Sequence, residues 1–203
     1  MTPDVSRETP ALPERWGFAL PALERYERRL ATVGLEWGLI GPREVDRLWN
    51  RHIVNSALIE TVIAEGADVI DVGSGAGLPG IPLALVRPDL HVILLEPLLR
   101  RSTFLEETVA ELGLEDRVTV VRGRAEDHPV PPARIVTARA VAALDKLLGW
   151  CWPLVAPGGQ LVALKGERAE QEVEQAAAKL KKLGLTATIR RVADTTAVLI
   201  SKQ

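Results

Sequence analysis

The sequence predicts an α/β protein: a seven-stranded, mostly parallel sheet with one antiparallel strand, preceded by a helical extension. Three observations carry this. An apolar run, Val69-Ile70-Asp71-Val72, enters a turn with glycine at every second position, Gly73-Ser74-Gly75-Ala76-Gly77, and a helical run Leu83-Ala84-Leu85-Val86 follows. That is the strand–turn–helix unit of nucleotide-binding domains. From His91 to Leu183, β-rich runs alternate with helical patterns, as parallel strands joined by right-handed crossovers do. Two last apolar runs, Leu185 to Val192 and Thr196 to Ser201, flank Ala193-Asp194-Thr195; a hairpin there supplies the antiparallel strand.

Each element follows from its own pattern. Met1 to Gly17 reads as a loose tail with Pro3, Pro10 and Pro13 as breakers. From Leu20 to Leu35 apolar residues recur at three- and four-residue steps, Leu23, Tyr26, Leu30 and Val33, predicting a helix. Gly38 and Gly41-Pro42 end it, and a second helix is expected from Arg43 to Ile63 with Leu48, Trp49, His52, Ile53 and Ser56 on one face. Residues 1–66 thus form a tail and helical cap, and residues 67–203 the α/β domain as one compact unit. Beyond the glycine turn, His91 to Leu95, Val118 to Val121, Arg134 to Thr137 and Gln160 to Leu164 read as strands. Leu98 to Leu112, Ala142 to Val155 and Glu167 to Leu183 read as helices, with Gly113 and Pro157-Gly158-Gly159 as stops.

Composition narrows the class. The chain has 203 residues, 47% hydrophobic and 26% charged, which suits one ordinary α/β domain plus an extension. No apolar run reaches membrane-spanning length, and Met1 to Glu14 carries no secretory apolar region. A single cysteine fits a reducing compartment, so a cytoplasmic location is expected. The net charge of -2 gives no global attraction to nucleic acid, so RNA contact requires a local basic patch. No DNA or membrane partner is expected, and a monomer is favoured.

In open parallel sheets the ligand sits beyond the carboxyl ends of the strands. Those ends are Gly73 to Gly77, Glu96, Ala125-Glu126, Arg139 and Lys165. The glycines permit positive φ and close backbone approach to a ligand; at Gly75 no room for a Cβ is expected. The following helix offers free N–H groups at its start. Glu96 is suited to accept from ribose hydroxyls, or is simply a solvated strand-end acid. A backbone N–H and the carboxylate at Ala125-Glu126 could read an adenine edge, or form an acidic loop. Two cofactors compete for the turn. Gly75-x-Gly77-x-x-Gly80 matches the dinucleotide fingerprint, whereas Asp-x-Gly-x-Gly-x-Gly from Asp71 resembles the cofactor loop of class I S-adenosylmethionine-dependent methyltransferases. Asp71 favours the second, because a dinucleotide loop has no particular use for an acid inside the strand end.

Four segments are more specific: Trp49-Asn50-Arg51-His52-Ile53-Val54-Asn55-Ser56, Asp71 through Pro82 with its Leu78-Pro79-Gly80-Ile81-Pro82 extension, Ala138-Arg139-Ala140, and Ala163-Leu164-Lys165-Gly166. Together with Val5-Ser6-Arg7-Glu8 they resemble the bacterial ribosomal RNA small subunit methyltransferase G family, also called glucose-inhibited division protein B. The resemblance implies a Rossmann-like, seven-stranded class I methyltransferase fold. It also implies methyl transfer from S-adenosyl-L-methionine to N7 of a guanine in the 530 loop of 16S rRNA, free or in a small-subunit assembly. Cofactor positions implied by the family are Gly73, Leu78, Glu96-Pro97-Leu98, Ala125-Glu126 and Arg139, to which the turn adds Gly75. Arg139, with its planar fork, is expected to face the methionine carboxylate. Relatives often carry serine where this chain has Ala138.

The absences agree. Guanine N7 has an in-plane lone pair and no proton, so no general base is needed and no catalytic residue beyond positioning is assigned. A cytosine-C5 enzyme needs a nucleophilic cysteine, and Cys151 sits in an apolar helix pattern that suits a core position. An adenine-N6 enzyme of the usual kind shows Asn/Asp-Pro-Pro-aromatic after the fourth strand; here the run is Thr137-Ala138-Arg139-Ala140. His52, His91 and His128 are scattered and predict no metal site. Two other readings remain at this level, a nicotinamide-dependent oxidoreductase and a cofactor-binding RNA module without turnover. On the RNA side, Arg43, Arg47 and Arg51 share a helix face that suits phosphates or plain solvation. His52 is expected to be a buried structural residue. Lys165 is the better candidate cation for RNA.

Overall fold

The computed structural model describes residues 14–192 and 194–202. Val5 to Glu8 of the tail, and Ala193 of the hairpin turn, lie outside the described residues.

The seven strands are β1 (Asp68–Val72), β2 (His91–Leu95), β3 (Val118–Val121), β4 (Ala133–Arg139), β5 (Val155–Lys165), β6 (Leu185–Val192) and β7 (Thr195–Lys202). They form one sheet in the order β3-β2-β1-β4-β5-β7-β6. β1 to β5 are parallel, and β7 runs antiparallel to both β5 and β6. The order reverses between β1 and β4, the crevice where doubly wound sheets bind ligands. Register brings the strand ends level: Val72 pairs with Leu95 and with Ala138, and Arg139 pairs with Leu164. Gly73, Glu96, Arg139 and Lys165 therefore emerge along one edge.

Both sheet faces are covered, which is why the central strands are apolar throughout rather than alternating. On one face α5 (Leu144–Cys151) and α6 (Ala169–Leu183) bury Leu147, Leu148, Ala176 and Leu180 against Val136 and Leu161. On the other, α3 (Gly80–Val86) and α4 (Leu99–Leu112) pack on β1, β2 and β3, and the cap joins the same core. Trp16, Leu23, Tyr26, Leu30, Leu48, Ile53 and Ile59 of the cap are each at most 1% exposed. Burying a large apolar side chain is worth roughly 1.5–3 kcal/mol, so the cap is fastened to the sheet domain rather than hinged from it.

Four elements differ from the sequence expectation. The first cap helix, α1 (Leu20–Arg29), continues through wider turns over Leu30–Gly34. The second is not one α-helix: it runs as tight turns over Pro42–Arg47, wide turns over Leu48–Val54, a short regular piece α2 (Asn55–Ala57) and tight turns over Leu58–Val62. An outside donor entering a helix ladder produces such irregularity, and the side chain of Arg139 enters here, as described below. β5 begins at Val155, before the Pro157-Gly158-Gly159 stop, because Val155 already pairs with Ala133 and the chain bulges before Gln160 pairs with Ile135. α5 accordingly ends at Cys151, short of Val155.

Candidate active site

The glycine turn is held from beneath by an acid. Asp71 is fully buried; its Oδ2 accepts the N–H of Gly80 at 3.0 Å and its Oδ1 accepts the Thr137 hydroxyl at 3.2 Å. Burial pushes its carboxyl up to about 6, against the pull of the Gly80 N–H and Thr137. The first N–H of α3 is thus taken by protein rather than left for a ligand. Ser74 donates to the Asp71 carbonyl at 2.7 Å, and the phenol of Tyr26, from α1, donates to the Ala76 carbonyl at 2.7 Å. Tyr26 is the only tyrosine of the chain. Its place on the α1 apolar stripe marked it as core, but nothing in the local sequence ties it to a turn fifty residues on.

The glycines serve different purposes. Gly73, Gly75 and Gly77 have φ of 68°, 59° and 99°. A Cβ on Gly77 would lie 2.4 Å from Ile81 Cδ1, and one on Gly80 would lie 2.3 Å from Leu94 Cδ2 and 2.9 Å from Asp71 Oδ2. At Gly75 the expectation of no room fails within the protein: the nearest atom to a built Cβ is the Gly73 carbonyl at 3.8 Å. What requires glycine there is the left-handed backbone.

Glu96 lies at the end of β2 and is 1% exposed. It is not a solvated acid. Its Oε2 accepts the Gly75 N–H and its Oε1 the Leu98 N–H, each at 3.0 Å. A carboxylate offers about four acceptor sites, so acceptor capacity remains for ribose hydroxyls. Beside it Pro97, Leu98 and Leu99 are exposed, the two leucines at 51% and 63%, an apolar shelf suited to a flat base. Ala125 is buried and Glu126 exposed after β3, and Leu78 is half-buried. The left-handed glycine backbone, the acid with spare lone pairs and the apolar shelf suit a nucleoside-bearing cofactor such as S-adenosylmethionine.

Arg139 is placed differently from the carboxylate-facing arginine the sequence suggests. Its Nη1 donates to the His52 carbonyl at 3.0 Å and the Ser56 hydroxyl at 2.6 Å. Its Nη2 donates to the Arg51 carbonyl at 3.2 Å and His52 Nδ1 at 2.6 Å. The fork is spent on the cap. His52 Nε2 in turn lies 2.6 Å from Glu44 Oε2. Because Nδ1 receives a guanidinium donor, the Nε2 atom carries the ring hydrogen and donates to Glu44. Burial holds the His52 pKa below its ordinary value despite that carboxylate, and the His52 hydrogen bond holds Glu44 low. Thus the Trp49-to-Ser56 segment and the Ala138-Arg139-Ala140 segment, far apart in sequence, form one hydrogen-bonded unit.

Lys165 is also committed elsewhere. Its side chain is 7% exposed, and its ammonium lies 2.8 Å from Glu172 Oε2 and donates to the Ala142 carbonyl at 2.7 Å. Lys165 is the cation the sequence offers to RNA; here its ammonium is engaged by the Glu172 carboxylate and the Ala142 carbonyl. Above it opens a cleft of about 960 Å³ beside the carboxyl ends of β4 and β5, lined among others by Arg51, Val141, Glu167, Arg168 and Asp194. Arg51 and Arg168 are exposed there. Val141 separates this cleft from the glycine turn: a Cβ on Gly73 would lie 2.8 Å from Val141 Cγ2. A nucleoside-suited turn and a polar cleft thus share one wall on the same sheet edge.

The sheet order, the glycine turn and the acid ending β2 define the class: a Rossmann-like fold of the S-adenosylmethionine-dependent methyltransferase type. Solved structures with this fold include an S-adenosyl-L-methionine-dependent methyltransferase, described as putative, from Methanococcus maripaludis (TM-score 0.64, 17% identity, 89% of this chain and 92% of that one). A ribosomal protein L11 methylase from Lactobacillus delbrueckii is similar as well (TM-score 0.59, 18% identity, 81% of each chain). At those identities the likeness concerns the fold. Residues 19–196 match the family model for rRNA small subunit methyltransferase G, GidB. Proteins named ribosomal RNA small subunit methyltransferase G are 57% identical over 183 residues in Mycolicibacterium smegmatis (86% of this chain, 77% of that protein) and 62% identical over 164 residues in Thermobifida fusca (80% and 69%). The chain belongs to the rRNA small subunit methyltransferase G family. That membership sets aside the nicotinamide reading of Gly75-x-Gly77-x-x-Gly80.

Proposed function

We propose that this protein methylates N7 of a guanine in the 530 loop of 16S rRNA, using S-adenosyl-L-methionine. The observation that carries the reading beyond family membership is the shared wall: the glycine turn and the polar cleft meet at Val141 against Gly73.

When bound, S-adenosylmethionine supplies an electrophilic methyl group on a sulfonium sulfur. Glu96 holds the Gly75 and Leu98 N–H groups and in this reading accepts from the ribose as well. Pro97, Leu98 and Ala125 would flank the adenine, and Gly73, Gly75 and Leu78 would border the methionine part. The cleft beside β4 and β5 receives the target nucleotide, with the exposed cations Arg51 and Arg168 meeting phosphate. Guanine N7 presents its own lone pair and carries no hydrogen, so no residue has to remove a proton. The protein's contribution is alignment and exclusion of water. Cys151 supports this by elimination: it is fully buried and burial pushes its thiol up to about 12, far from the thiolate a C5-methylating enzyme uses.

Mass spectrometry of 16S rRNA from cells lacking the protein, and from the same cells with it restored, tests the reading. Loss and return of one N7-methylguanosine in the 530 loop is expected. Purified protein that binds S-adenosylmethionine and rRNA but leaves every base unmethylated would reduce it to a binding module.

A further inference from the structure

The segment between β4 and α5, residues 140–143, is the wall common to turn and cleft. It is held in an unusual shape. Ala140 has φ of 55°, one of two non-glycine residues with positive φ among those described. Such conformations persist only where surrounding contacts over-determine them. The contacts here come from an ion pair in the wall of the cleft, its lysine buried and its glutamate half-buried. Lys165, ending β5, donates to the Ala142 carbonyl at 2.7 Å and meets Glu172 Oε2 at 2.8 Å. The same Glu172 oxygen accepts the Leu144 N–H at 2.9 Å. It thereby caps α5, whose N-cap residue Ala143 makes no side-chain cap of its own. One pair therefore fixes the segment twice, through a carbonyl at its centre and an N–H at its end. Its near end is fixed by Arg139 on the cap.

We infer that Lys165 and Glu172 are positioning residues, which latch segment 140–143 so that Val141 sits on Gly73 and sets the distance between bound cofactor and target base. The inference rests on the proposed methyl transfer for its consequence in rate, but not for its consequence in cofactor binding. Neither side chain needs to touch RNA or cofactor. A basic residue at the end of β5 invites the opposite assignment, a phosphate contact, and the two make predictions of opposite sign. If Lys165 served RNA, removing Glu172 would release its charge and strengthen RNA binding. If it is half of a latch, losing either member has the same effect.

The test uses the full chain in four forms: wild type, Lys165→Met, Glu172→Ala and the double variant. S-adenosylmethionine affinity is measured by calorimetry, rRNA affinity as a function of salt, and methyl transfer in single turnover at saturating cofactor and RNA. Both single variants are expected to bind cofactor about tenfold more weakly, with the double variant no worse, as residues acting in one unit are non-additive. The saturated rate is expected to fall on the order of a hundredfold, the effect of a small misplacement of reacting groups. The salt slope is expected to stay as in the wild type, whereas loss of a phosphate contact lowers it by about one. A lowered slope for Lys165→Met, together with tighter RNA binding by Glu172→Ala, overturns the latch. Unchanged cofactor affinity in both single variants overturns it too. If Lys165→Met does not fold, Glu172→Ala still decides, because the two assignments of Lys165 predict effects of opposite sign for it. A wild type that binds cofactor but methylates no RNA refutes the proposed function, while the calorimetric comparison still judges the latch.

Discussion

The two halves of the strand-end edge are built from opposite charges. On the β1–β2 side, carboxylates satisfy backbone N–H groups: Asp71 takes Gly80, and Glu96 takes Gly75 and Leu98. On the β4–β5 side, cations satisfy backbone carbonyls: Arg139 takes Arg51 and His52, and Lys165 takes Ala142. The first half shapes a tight turn whose N–H groups would otherwise be orphaned. The second fastens a cap and a connecting segment whose carbonyls would be. Buried backbone groups need partners, and charged partners form the stronger bonds. The comparison teaches that four charged residues prominent in the sequence, Asp71, Glu96, Arg139 and Lys165, first serve the backbone that forms the site.

The largest effect expected from this contrast is at Gly80. Gly80→Val drives carbon into Leu94 and Asp71 at the centre of the sheet, and a loss of about 4 kcal/mol is expected, at the upper end for one substitution. Gly75→Ala meets no protein atom closer than 3.8 Å, so it should cost only about 1 kcal/mol for its left-handed backbone. Urea midpoints of the two variants check this; equal losses would mean the turn is constrained uniformly.

Arg139 comes next. Arg139→Met strands the Arg51 and His52 carbonyls, the Ser56 hydroxyl and the His52 ring, and about 3 kcal/mol of stability should go with them. Arg139→Lys should recover part of it, because one ammonium cannot reproduce a fork. A variant with wild-type stability that binds cofactor weakly would return Arg139 to the carboxylate role.

A smaller effect separates the halves by pH. The folded-state pKa of Asp71 is raised to about 6 by burial, above its ordinary unfolded value. Between those values the native state holds the extra proton, so this group's contribution to stability falls as pH rises through the window and is lowest above it. Asp71→Asn keeps an acceptor for Gly80 without the charge. Relative to that variant the wild type should lose stability between pH 4.5 and 7.5, by an amount approaching about 2 kcal/mol. Denaturation of both proteins at the two pH values gives the difference directly, and a constant difference would exclude Asp71 as its source.

The smallest stability effect belongs to Arg51, one of the exposed cations of the cleft. Arg51→Ala should leave stability within about 0.5 kcal/mol and lower the salt slope of rRNA binding by about one. A slope unchanged in that variant would take Arg51 out of the RNA path.

The sequence by itself determined where the β1–β2 half lies, though not that Glu96 closes on the Gly75 and Leu98 N–H groups. Asp71 and Gly80 lie nine residues apart and Gly75 and Glu96 twenty-one, within one strand–turn–helix–strand unit whose apolar periods and glycine spacing record its geometry. It also determined the order of strands and helices, because alternation with short connections leaves few topologies. Only the tertiary structure decided the other half. Arg139 meets the cap across eighty-seven residues, Tyr26 reaches the glycine turn across fifty, and Lys165 finds Ala142 across twenty-three. A strand-end arginine or lysine is the same in sequence whether it faces a ligand, solvent or a carbonyl. Its partner is set by where a remote element packs, and that packing is driven by non-directional apolar burial, which leaves no local mark beside the charge it places.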